Sequence, residues 1–154
     1  MQFTPHALRT LLLFGGLLAG CNSDNPGQTD AGAGSCLAPL ALDCTPSYEP
    51  ATFDKIYENI FAKTCGSPGT GSQCHGNDGG QAGLFLAEHD QAYDLLLGKN
   101  GGRARVIAGD PECSILEQRL ESKDPAFRMP VGGKPLSPED LCAIRHWIAD
   151  GARR

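Results

Sequence analysis

The stretch Thr52-Phe53-Asp54-Lys55-Ile56-Tyr57-Glu58-Asn59-Ile60-Phe61 decides the fold class. Phe53, Ile56, Tyr57, Ile60 and Phe61 recur at i, i+3, i+4, i+7 and i+8, which is one apolar face of an α-helix. Thr52 or Asp54 caps its start, and Cys65 falls just past its end. Residues 66–83 are rich in Gly and Ser and read as loop. Three more helices follow from cap and stop signals. His89 to Leu97 is ended by Gly98. Asp110-Pro111 opens a helix through Leu120, with Ile115, Leu116 and Leu120 inward. Ser137-Pro138-Glu139-Asp140 opens a last helix that runs to Asp150 and stops at Gly151. Leu141, Ile144 and Ile148 give that helix its apolar face, with Trp147 at the edge. No segment alternates convincingly, so the expected fold is all-α, about four helices joined by long loops.

Composition narrows the function classes. The chain has 154 residues, room for one ordinary domain and short extensions. Hydrophobic residues at 40% and charged residues at 20% are too apolar for a wholly disordered chain and too polar for a multi-span membrane protein. Thirteen Lys+Arg against 18 Asp+Glu give a net charge of −5, which argues against nucleic acid as a partner. Seven cysteines in so short a chain point to an oxidising compartment or to covalent cofactor chemistry.

Residues 1–20 have the outline of a signal peptide, with Arg9 ahead of an apolar run from Leu11 to Leu18. The run is too short to span a membrane. Its ending, Leu18-Ala19-Gly20-Cys21, resembles a bacterial lipobox. That resemblance implies cleavage before Cys21, lipidation of Cys21 and anchoring in the cell envelope, at the periplasmic face or the outer membrane. Residues 21–35 then form the lipidated Cys and a flexible linker that lacks large apolar side chains. Six cysteines remain. A local Cys36–Cys44 disulfide would staple an extension, residues 36–51, to the domain edge, and Cys113 and Cys142 are candidates to clamp two helices together.

The chemistry centres on Cys74-His75-Gly76, with Cys65 nine residues before Cys74. In a Cys-x-x-Cys-His motif two thiols add to the haem vinyl groups and the adjacent His binds iron. A Met thioether on the other side raises the potential. Met1 leaves with the signal peptide, so Met129 is the thioether available. Here the spacing is Cys-x8-Cys-His, which leaves two uses open for Cys65 and Cys74: thioethers to a covalent haem c, or a disulfide closing a short loop. His89 reads as exposed, and His146 as a surface or packing residue more than an iron ligand. A zinc site from Cys65, Cys74 and His75 lacks a fourth ligand at the usual spacing.

The order of Cys74-His75-Gly76, Gly83-Leu84, Val106-Ile107-Ala108-Gly109-Asp110-Pro111, Arg128-Met129-Pro130, Leu136-Ser137 and Trp147-Ile148-Ala149-Asp150-Gly151-Ala152 resembles the class I cytochrome c superfamily. It is closest to the planctomycete-type cytochrome c domain. The resemblance covers roughly residues 52 to 152, within a domain taken as 52–154. It implies an all-α haem domain with His75 as proximal and Met129 as distal ligand, and the last helix packed on the first. It further implies a monomeric electron carrier, not a catalyst, that meets a redox partner protein. A five-coordinate iron with peroxidase-like activity follows only if Met129 does not ligate. The alternative function is a haem-free, disulfide-stapled surface lipoprotein of the same fold, acting as a binding or accessory module.

Overall fold

A computed structural model describes residues 36–66 and 74–154. The signal peptide, Cys21, the linker and positions 67–73 of the loop between Cys65 and Cys74 lie outside the described residues. Four α-helices make the framework: α1 (Phe53–Ile56), α2 (His89–Leu96), α3 (Ile115–Glu121) and α4 (Pro138–Ala149). The described residues hold one isolated antiparallel bridge, Ile107 with Asp110, and no named strand. The fold is all-α, as the periodicity indicates. No helix among the described residues is long and apolar enough to cross a membrane.

The helix boundaries differ from the sequence reading at two places. The first helix is α-helical only over Phe53–Ile56 and continues as a π-helix over Tyr57–Cys65. Cys65 is therefore the last residue of that helix. The wider π turn still buries Phe53, Ile56, Tyr57, Ile60 and Phe61. The third helix starts at Ile115 and not at Pro111. Asp110 closes a turn instead: its Oδ1 accepts from Cys113 N–H at 3.0 Å, and Ser114 Oγ donates to Asp110 O at 2.7 Å. Cys113 thus stands in a turn before α3. The cap of α4 is as read, with Ser137 Oγ accepting from Asp140 N–H at 3.1 Å and Gly151 at φ +93° beyond its end.

The core forms where the first helix crosses the last. Phe53 is fully buried, and its ring lies 5.5 Å from Trp147, 4.9 Å from Tyr93, 5.8 Å from Tyr57 and 6.4 Å from Phe61. Such tilted pairs each contribute about 0.5–1.5 kcal/mol beyond area burial. Trp147, expected at the edge of α4, is 1% exposed and sits in the core, while Leu141 is only half-buried. The polar tips of the aromatics are satisfied. Trp147 Nε1 donates to Arg153 O at 2.7 Å, Tyr93 Oη to Ala152 O at 3.1 Å and Tyr57 Oη to Ala87 O at 2.7 Å. His89, expected on the surface, is half-buried. It joins α1 to α2, with Nε2 2.9 Å from Asp54 Oδ1 and its ring 4.8 Å from Tyr57.

The extension before α1 lies along α3 and α4. Leu37 N–H donates to Glu112 O at 3.0 Å and Ser47 N–H to Glu139 O at 3.0 Å. Arg145 on α4 donates to Ala41 O at 2.7 Å. The disulfides correct both pairings read from the sequence. Cys36 is bonded to Cys113 and Cys44 to Cys142. Neither a local Cys36–Cys44 loop nor a Cys113–Cys142 clamp exists, because Cys36 meets the turn before α3 while residues 41–47 run antiparallel along α4 and bring Cys44 to Cys142. These are long-range links, 77 and 98 residues apart in sequence. A loop near 100 residues is worth about 4–5 kcal/mol in the chain-entropy treatment, and measured values run about 2–4. Replacing both partners, Cys44→Ser with Cys142→Ser, should therefore cost about 3 kcal/mol. The expected readout is a lower denaturant midpoint with a larger m-value, because the uncross-linked denatured chain exposes more surface.

Candidate functional site

One side of the core opens into a cavity of about 830 Å³, its mouth included. Phe61 and Cys65 come from the end of the π-helix, and Leu84 and Leu86 from the loop after His75. Ile115, Leu116 and Leu120 come from α3. His75 and Met129 line the same space. The apolar walls with a few convergent polar groups suit a cofactor or small-molecule ligand. Among the described residues, Arg103, Arg105 and Arg119 are the only charged side chains of the lining.

Backbone bonds fix the segment carrying the histidine. Gln81 N–H donates to Cys74 O at 2.7 Å and Leu86 N–H to His75 O at 2.6 Å. Gly66 has no room for a side chain, since a Cβ there would lie 2.4 Å from Leu86 O. The end of the π-helix therefore presses directly on the loop that holds His75. His75 Nδ1 lies 3.1 Å from Leu84 O. A carbonyl can only accept, so Nδ1 carries the proton and Nε2 keeps its lone pair. Burial pushes the His75 pKa down, reinforced by the charges of Arg105 and Arg119 and opposed by the bond to Leu84. The imidazole is thus held neutral, in the tautomer that leaves Nε2 for a metal, with the carbonyl support common behind ligating histidines. Met129, also on the lining, is held through its backbone N–H, which donates to Arg119 O at 2.9 Å.

The two cysteines of the motif differ. Cys65 carries a free thiol on the cavity wall, and desolvation pushes its pKa up to about 12. It is a neutral thiol at physiological pH. Cys74 is disulfide-bonded, but not to Cys65. The Cys65–Cys74 loop closure considered from the sequence is therefore not formed.

Sequence reading missed Glu117, which lies one residue from the cavity-lining Leu116. It is 0% exposed, and neither carboxylate oxygen has a hydrogen-bond partner. Burial raises its pKa to about 8; Glu121 and Glu112 push the same way and Arg145 opposes them. An acidic residue followed by Gln118 and Arg119 on a short helix gives no sequence signal of burial, which tertiary packing decides. The three cavity arginines were missed for the same reason: the loop and α3 converge only in three dimensions.

The fold and this cavity define an all-α domain with a ligand pocket between a histidine and a methionine. A family model described as Planctomycete cytochrome C matches residues 72–131. That span is similar to a planctomycete-type cytochrome c domain. The match takes in Cys74, His75 and Met129. No curated protein and no solved structure shows significant similarity to the chain.

Glu117 makes stability depend on pH. The carboxyl binds its proton more tightly folded, near pH 8, than unfolded, near its ordinary value of 4.5. Between those values the folded state holds a proton that the unfolded state has released. Stability is therefore fully present below about pH 4.5 and falls as pH rises through about 8, by at most roughly 4–5 kcal/mol. Glu117→Gln should flatten this decline. Denaturant midpoints at pH 5 and pH 9 check it, and an unchanged difference between the two would count against the buried carboxyl as its source.

Proposed function

We propose that this chain is a lipid-anchored c-type cytochrome, binding haem and transferring single electrons outside the cytoplasmic membrane. The observation that carries the reading is the shared cavity. It brings together a neutral His75 with Nε2 unprotonated, the Met129 thioether and the free Cys65 thiol, inside apolar walls. This donor set fits a haem. His75 Nε2 and Met129 Sδ would bind its iron, and the Cys65 thiol on the same cavity wall would supply a vinyl thioether. Cys74 joins as the second thioether only from its reduced form. Haem bound there supplies a one-electron ferric/ferrous couple.

The remaining work belongs to the chain itself. Leu84, Leu86, Leu116 and Leu120 exclude water and so help set the potential. The Leu84 carbonyl holds the His75 ring in one tautomer. With His75 and Met129 both bound to the iron, the group would serve as an electron carrier more than as a catalyst. The anchor reading rests on Leu18-Ala19-Gly20-Cys21 and places the protein in the cell envelope, at the periplasmic face or outer membrane. There it works as a monomer that meets a redox partner protein. The Cys-x8-Cys-His spacing, wider than Cys-x-x-Cys-His, leaves a second reading, a haem-free accessory module of the same fold.

One preparation separates the two. The chain is expressed in a host with haem-attachment machinery and purified from its membranes. Intact mass should show loss of residues 1–20, an acylated Cys21 and one covalent haem, with a sharp reduced haem spectrum. His75→Ala should abolish that spectrum. A haem-free mass with a folded chain makes the accessory module the correct reading. In the haem-loaded protein, Met129→Ala should lower the midpoint potential and let carbon monoxide bind the ferrous form. An unchanged potential rules out Met129 as the distal ligand.

A further inference from the structure

A second group of metal-binding side chains lies away from the cavity, where the extension crosses α4. Cys142 and His146 are one helical turn apart on α4, a spacing that sets both on one face. Cys44 reaches the same place from the extension. The ligand atoms of these three residues all lie within 4.8 Å of one another, and no other group of three or more His, Cys, Asp or Glu among the described residues meets that condition. Cys44 and Cys142 are joined as a disulfide, so the group offers no thiolate in the oxidised chain.

We propose that Cys44, Cys142 and His146 form a reduction-gated site for zinc(II). Three features beyond proximity support it. His146 Nε2 lies 3.0 Å from Leu42 O. The carbonyl accepts, so Nε2 is protonated and Nδ1 keeps the lone pair, the support a ligating histidine normally has. Arg145 Nη1 lies 3.8 Å from Cys44 Sγ and favours the thiolate there. Cys142 is buried, whereas Cys44 and His146 are half-buried. The site is therefore closed on the helix side and open to solvent on the other, leaving the fourth position to water. On a tetrahedral zinc, two ligands at 2.0–2.3 Å stand roughly 3.5–3.8 Å apart, a separation reached once the S–S bond opens. Two thiolates and one imidazole suit zinc, a borderline-soft d10 ion.

The chemistry balances with a dithiol as reductant. The dithiol's two thiols become a disulfide, and Cys44 and Cys142 become two thiols. Zinc then displaces one proton from each thiol. The metal replaces the disulfide as the tie between the extension and α4. This inference is independent of haem in the cavity.

The test uses the full chain, oxidised and after reduction by a phosphine, titrated with zinc(II) against a chromophoric chelator. The reduced chain should bind one zinc at least tenfold more tightly than the oxidised chain. His146→Ala and the pair Cys44→Ser with Cys142→Ser should each lose that gain. Cys65→Ser, and the pair Cys36→Ser with Cys113→Ser, should keep it. Cobalt(II) substitution should give tetrahedral d–d bands with thiolate-to-metal charge transfer, and His146→Ala should change them. Equal binding by the oxidised chain overturns the proposal. So does a tight site that survives His146→Ala or the Cys44/Cys142 pair. Far-UV circular dichroism follows folding, and a reduced chain that unfolds and takes up no zinc also overturns it.

Discussion

Everything else in this domain hangs on the packing of Phe53 against Trp147, the contact that closes the first helix onto the last. Their rings lie 5.5 Å apart, and both side chains are almost wholly excluded from water. Tyr57, Phe61 and Tyr93 complete an aromatic cluster around Phe53. In a small domain this cluster supplies much of the buried apolar area. It also fixes where the chain between the helices must travel. Residues 74–136, the described part of the chain between the first helix and α4, return to that core at Leu136 and line the cavity.

That wall becomes a site because its polar groups are already accounted for. The His75 ring is held through Nδ1, the Met129 backbone is held by α3, and the flanking carbonyls of Cys74 and His75 accept from Gln81 and Leu86. Such support lets a ligand bind without ordering the loop at the moment of binding. The arginines set the sign of the field. In a chain of net charge −5, the only charged residues on the cavity lining, among those described, are cations.

The extension contributes in a different way. It brings little apolar area, and its leucines stay partly or largely exposed. Its hold comes from two covalent links across 77 and 98 residues, together with backbone bonds to Glu112 and Glu139. Apart from these links, the buried Glu117 on α3 has an unpartnered carboxyl whose pKa burial raises to about 8.

The sequence by itself determined what depends on local pattern. The i, i+3, i+4 spacing from Phe53 to Phe61 set the first apolar face, although not its π-helical pitch. Ser137-Pro138 set the start of α4, because a cap acts within one turn. The order Cys74-His75 and then Met129 identified the donors that share the cavity. Tertiary structure alone decided the disulfide partners, since connectivity depends on which distant elements the extension lies against. It alone decided the burial of Glu117 and the convergence of Arg103, Arg105 and Arg119, which come from segments far apart in sequence. It alone placed Cys44 beside Cys142 and His146. Local spacing encodes faces and caps, but contact between distant faces is settled only when the whole core closes.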